Sequence, residues 1–164
     1  MDNRVINFYR VLQNNFEELQ NLIKSTLHSE ALHQYAKDIL DDDTICEVER
    51  AWAFWVQTNM SFGKIIGTGF AFDNSSFGKR TKNKRDSFEA HYKKRVEKTE
   101  IFCRDAIELI KLKDTTDTFF YCDPPYVSSD CGHYKGYTKE NFMELLEVLS
   151  NIKGKFLLSS YPVS

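Results

Sequence analysis

A short apolar run that ends on two prolines constrains this chain more than any other feature. Thr118-Phe119-Phe120-Tyr121-Cys122 is aromatic and β-prone, and Asp123-Pro124-Pro125-Tyr126 follows it without a spacer. Proline lacks a backbone N–H and holds φ near −65°, so a central β-ladder cannot continue through residues 124 and 125. The run therefore reads as a strand that stops at Cys122 and passes into a stiff turn. Further on, Thr138 is placed to cap a helix over residues 139–152, with Phe142, Leu145, Leu146 and Leu149 on one face. Residues 155–160 form a second strand pattern. Strands spaced by helices predict a parallel, doubly wound α/β sheet, in which ligands bind beyond the carboxyl ends of the strands. The Asp123 turn lies at such an end.

The same reading extends towards the N-terminus. Residues 100–103 suit a short strand and residues 105–111 a helix opened by Asp105. The first sixty residues carry helical periodicity instead. Val5, Ile6, Phe8, Tyr9, Val11 and Leu12 recur at helical spacing before Asn14-Asn15 interrupts them. Asn15 and Glu18 suit a capping box for a helix over 16–27, and a third helix covers 29–40. Asp41-Asp42-Asp43-Thr44 offers caps for a fourth over 45–59, with Trp52, Ala53, Phe54 and Val56 available for burial. From Ser61 the character changes. Gly63, Gly67, Gly69 and Gly78 punctuate Lys64-Ile65-Ile66 and Phe70-Ala71-Phe72, which suits a β-hairpin or an irregular loop. Residues 87–98 form a further helical pattern carrying Lys93, Lys94 and Arg95.

Composition narrows the class. The 164 residues suffice for a real core, and 41% of them are apolar. No run of 18 apolar residues occurs and the first residues carry no apolar leader, so a cytoplasmic, membrane-free protein is expected. Cys46, Cys103, Cys122 and Cys131 make no Cys-x-x-Cys pair, and the four histidines show no ligand spacing with them. No metal site is expected, and the thiols read as reduced and structural. The net charge of −2 conceals an asymmetry. Residues 58–98 hold 10 Lys/Arg against 4 Asp/Glu, whereas residues 1–57 hold 5 against 10 and residues 99–164 hold 7 against 10. A basic block between acidic neighbours is the footprint of a local polyanion contact, or else a solvated charged face. Its candidate phosphate contacts are Lys79, Arg80, Lys82, Lys84 and Arg85, with Lys64 nearer the bases.

The turn after the strand suits methylation of an amino group. An exocyclic amine on adenine is a poor nucleophile because its lone pair is delocalised into the ring. Two acceptors on its two N–H groups draw the nitrogen towards tetrahedral geometry. Asp123 supplies a carboxylate oxygen and a backbone carbonyl of the turn supplies the other. Pro124 and Pro125 fix the backbone and add no competing N–H. Tyr126 offers a flat face for an extruded base.

These residues, with Phe102-Cys103-Arg104-Asp105 before them and Tyr137-Thr138-x-x-Asn141-Phe142 and Lys155-Phe156-Leu157-Leu158-Ser159-Ser160 after them, resemble the Dam-type, D12-class DNA adenine-N6 methyltransferases. Asp2-Asn3-Arg4-Val5-Ile6-Asn7-Phe8-Tyr9 resembles the family's segment after its second strand. The resemblance implies a Rossmann-like core, only part of it in this chain, using S-adenosylmethionine, with an inserted helical and β-hairpin region that reads double-stranded DNA. On that pattern residues 1–14 and 99–164 belong to the core and residues 15–98 to target recognition. Asp123, Pro124 and Tyr126 would engage the target adenine, with Asp123 also close to the cofactor. Asp105 and Ala106 would lie near the cofactor's adenine, although an Asp opening a helix also reads simply as its cap.

One departure stands out. The family's glycine-rich strand-to-helix turn has no counterpart here: the glycines before residue 132 fall at 63, 67, 69 and 78. The expectation is therefore an internal segment of a longer enzyme, inactive alone. A non-catalytic DNA-binding fragment and a cytosine-N4 enzyme are the competing readings. The recognised bases and the oligomeric state are not legible.

Overall fold

Polar residues at their starts, and apolar faces further along, make most of the elements. The computed structural model describes residues 2–72, 77–126 and 137–160, with backbone alone for 77–80. Eight helices run through these residues: α1 Asn3–Asn14, α2 Phe16–Ser25, α3 Glu30–Ile39, α4 Glu47–Met60, α5 Phe77–Asp86, α6 His91–Val96, α7 Ala106–Lys113 and α8 Lys139–Ser150. Two strands accompany them, β1 Phe119–Cys122 and β2 Lys155–Leu158. The chain divides into two compact units, Met1–Cys103 and Arg104–Ser164.

The first unit is helical and centred on α4. Val48, Ala51, Trp52, Ala53, Trp55, Val56, Gln57 and Met60 are all buried, so this helix is covered on most of its circumference. α1, α2 and α3 pack against it and bring Val11, Leu12, Phe16, Leu19, Ile23, Ala36 and Ile39 into one core. The caps differ in part from expectation. Ser29 opens α3 by accepting from the Leu32 N–H at 3.5 Å. Asn15 makes no side-chain cap for α2, and its N–H closes α1 on the Val11 carbonyl at 2.8 Å, so that donor is not open to Glu18. One residue serves two helix ends, and the expected box with Glu18 does not form. α4 begins at Glu47 rather than 45. Asp42 instead accepts from the Thr44 N–H at 2.9 Å and hydroxyl at 2.6 Å, closing a local turn before the helix starts.

The segment after α4 is an irregular loop rather than a hairpin of strands. A single antiparallel bridge joins Ser61 to Phe70, flanked by Phe62 N–H to Gly69 carbonyl and Ala71 N–H to Met60 carbonyl, both at 2.8 Å. Gly63 and Lys64 are consecutive left-handed residues, with φ of 63° and 60°, and Gly67 has φ 85°. Such residues curl the chain into a 3₁₀ turn and keep a ladder from extending. Residues 100–103, expected as a strand, are irregular. Pairing makes a strand, and among the described residues no strand lies beside them.

In the second unit β1 and β2 pair in parallel, in the register Phe119–Lys155, Phe120–Phe156, Tyr121–Leu157 and Cys122–Leu158. α8 connects them, opened by a capping box in which Thr138 and Asn141 satisfy each other's backbone N–H. Ile110 of α7 and Leu145 and Leu149 of α8 cover one face, against Phe120, Cys122 and Leu158. On the other face Phe119, Tyr121 and Leu157 are 62%, 66% and 50% exposed. Helices and parallel strands mix as in an α/β protein. The described residues hold one β–α–β unit with two strands, where part of a doubly wound sheet is expected.

Candidate active site

The carboxyl edge of the parallel pair is built by backbone first. The Ser159 N–H donates to the Cys122 carbonyl at 2.9 Å, one rung beyond the named strands. The turn then leaves the sheet, as two prolines require. Asp123 is exposed, and Pro124, Pro125 and Tyr126 are half-buried. The Tyr126 hydroxyl folds back to lie 2.9 Å from Ser159 Oγ and 3.4 Å from Asp123 Oδ1. A carboxylate, a phenol and a hydroxyl therefore meet at the end of two strands. Burial pushes the thiol pKa of neighbouring Cys122 up, away from the thiolate form.

Asp105 opens α7 by accepting from the N–H groups of Ile107 at 2.9 Å and Glu108 at 3.1 Å. Of its two readings, the cap is therefore present. Ala106 follows as the first helical residue and is exposed. A tight turn between α7 and β1, closed by Thr118 N–H to Thr115 carbonyl at 3.1 Å, reverses the chain. That reversal brings the start of α7 towards the carboxyl end of β1, and Ile107 and Cys122 share one apolar cluster.

The basic residues separate by environment. Lys64 is exposed on the 61–70 loop. Lys79 and Arg80 lie on α5, and their side chains fall outside the described residues. Lys82 is exposed and pairs with Asp86 at 2.7 Å, holding that carboxyl below its usual range, while Lys84 is exposed. Arg85 turns inward, and its guanidinium donates to the Thr26 carbonyl. Ser159 had been legible only as part of a strand. A hydroxyl at the end of an apolar run carries no signal until the fold sets it beside a residue 33 positions away. Among the described residues no group of His, Cys, Asp and Glu could hold a metal, and no helix is long and apolar enough to cross a membrane.

The D12 class N6 adenine-specific DNA methyltransferase family matches the chain over residues 1–161, so both units and the Asp123 turn lie within the match. No curated protein matches the chain.

Proposed function

The chain belongs to the D12 class of N6 adenine-specific DNA methyltransferases, and from that premise we propose which of its residues carry the reaction. The family's reaction is methylation of adenine N6 in DNA, so a cytosine acceptor and a purely DNA-binding role are not favoured. The observation that carries the site assignment is the exposed Asp123 carboxylate at the carboxyl end of β1, with the Tyr126 hydroxyl beside it.

An adenine inside a duplex is stacked and paired, so its amine is reached only once the base is extruded. Asp123 accepts one N6 N–H and a turn carbonyl accepts the other. That pair of bonds localises the nitrogen lone pair and aims it. Pro124 and Pro125 keep the acceptors in place without a donor of their own, and the Tyr126 ring supplies a stacking face. The methyl donor we assign is S-adenosylmethionine, which supplies a methyl group on a positively charged sulfur. The residues present at this edge fit it: an exposed carboxylate complements the sulfonium, and Ala106 presents only a methyl side chain at the exposed start of α7. Asp105, Ala106 and Asp123 would hold it. No proton is required from the protein: as the N–C bond forms and the carbon–sulfur bond breaks, the donor would leave as a neutral thioether and the amine would give up one proton, with the exposed Asp123 carboxylate as the acceptor in reach and water beyond it. Alignment and charge placement do the work.

The β1–α8–β2 unit fits a Rossmann-like methyltransferase core. The basic block of residues 58–98 supports double-stranded DNA as the partner, with target recognition in residues 15–98. The test is Asp123→Ala, assayed on duplex DNA with a labelled methyl donor and by gel shift on the same preparation. Methylation should fall about a hundredfold or more, since an aligned polar group in a reacting site is worth about that much. DNA affinity should change little, because phosphate contacts dominate it. Activity within a few-fold of the parent would remove Asp123 from this role.

A further inference from the structure

We propose that Ser159 is a positioning residue for the methyl-transfer site: its hydroxyl latches the Tyr126 ring to the edge of the sheet and frees the Asp123 carboxylate for the incoming amine. The inference rests on the adenine-N6 reading of that site.

The backbone fixes Ser159 before its side chain matters. Its N–H donates to the Cys122 carbonyl at 2.9 Å, so residue 159 cannot shift relative to the start of the turn without losing a ladder bond. From that anchor its Oγ reaches the Tyr126 hydroxyl at 2.9 Å, a good hydrogen-bond length. The prolines set φ at residues 124 and 125, and the Ser159 contact helps to orient the Tyr126 ring beyond them.

The proton count gives the latch its second role. An ionised Asp123 only accepts, while the Ser159 and Tyr126 hydroxyls each carry one proton and can each accept. Two arrangements follow. In one, Ser159 donates to Tyr126 and Tyr126 donates to Asp123 Oδ1, across a long 3.4 Å. In the other, Tyr126 donates to Ser159 across 2.9 Å and leaves the Asp123 oxygen to the substrate. Rotating two hydroxyls converts one into the other. When an adenine amine approaches Asp123, Ser159 is thus an acceptor within reach of the Tyr126 proton, at a shorter distance than the Asp123 oxygen.

Steady-state kinetics on duplex DNA with the full chain tests this. Ser159→Ala should lower kcat about tenfold, the value of one such hydrogen bond, with KM for DNA nearly unchanged. Ser159→Thr keeps the hydroxyl and should restore most of the rate. Tyr126→Phe removes the other partner, and adding Ser159→Ala to it should then cost nothing further. Thermal melting of each variant checks the fold; Tyr126→Phe with and without Ser159→Ala keeps the test decisive if one single variant is unstable. Additive effects of the two substitutions, or an active parent whose Ser159→Ala variant matches it, would overturn the proposal alone. A parent that methylates a base other than adenine would overturn the functional reading and this inference with it.

Discussion

Gly154 sits where the backbone leaves no room for a side chain. A Cβ built there would lie 2.5 Å from the Thr118 carbonyl oxygen and 2.9 Å from that of Thr115. Both are backbone atoms of the turn into β1, and neither can rotate away. The approach is close because Asp114 draws the segment in, accepting from the N–H groups of Lys153 and Gly154 at 2.8 and 3.0 Å. Lys155 then donates to the Thr118 carbonyl at 2.9 Å and the parallel ladder begins. Gly154→Ala should destabilise the protein by about 1–3 kcal/mol, the usual cost of forced overpacking. Gly69 is the control, since a Cβ there meets nothing within 4 Å, and Gly69→Ala should stay within about 0.5 kcal/mol of the parent. Urea midpoints of the two variants decide it, and equal midpoints would mean that the 154 turn yields more than its geometry suggests.

Three buried polar side chains tie α3, α4 and the 61–70 loop together. His33 Nε2 lies 2.8 Å from Ser61 Oγ, Ser61 donates to Gln57 Oε1 at 3.2 Å, and Gln57 Nε2 donates to the His33 carbonyl at 2.9 Å. Gln57 Oε1 also accepts from the Gly67 N–H at 3.2 Å and so holds the loop that carries Lys64. Because the Ser61 proton points to Gln57, His33 Nε2 carries a proton and donates to the Ser61 oxygen. Burial is the main reason that its pKa lies below the ordinary 6.5, with Lys37 and His28 adding to the shift and Glu30 opposing it. The unfolded chain takes up that proton near pH 6.5 and the folded chain only lower down. Stability from this site is therefore full above about 6.5 and is lost as pH falls below it. The urea midpoint should drop between about pH 7.5 and 5.5, and His33→Gln should flatten that drop; an unflattened profile would place the titration elsewhere. The sequence revealed the elements better than their joints. Apolar spacing was enough for α1 and α8, and two prolines after an aromatic run marked the end of β1. What stayed hidden depends on partners outside the element itself. A strand over 100–103 needed a neighbour, Asn15 was claimed by the end of α1, and the His33–Ser61 and Ser159–Tyr126 contacts exist only once the helices and strands have packed.

Charge is organised over the whole molecule and shows little of itself in the net value of −2. The excess of Lys and Arg between residues 58 and 98 belongs to the helical first unit, while the acidic Asp123 turn belongs to the second. Within the block, position decides function. Lys82 and Lys84 are exposed, and the Lys82–Asp86 pair is a surface ion pair screened by water and salt, too weak to keep Lys82 from a phosphate. Arg85 is already committed to the Thr26 carbonyl. Each phosphate contact on duplex DNA contributes about −0.9 to the slope of log affinity against log salt, so replacing Lys82 and Lys84 together by Ala should flatten that slope by about one to two units. Target and scrambled duplexes should weaken alike, because phosphates carry no sequence. Arg85→Ala should behave differently, lowering the melting temperature and leaving the salt slope nearly as it was. Binding titrations from low to moderate salt on both duplexes, beside melts of the same variants, separate the two. A slope unchanged in the Lys82/Lys84 variant would make the basic block a solvated face. A slope lost with Arg85 instead would mean that its guanidinium leaves Thr26 when DNA arrives.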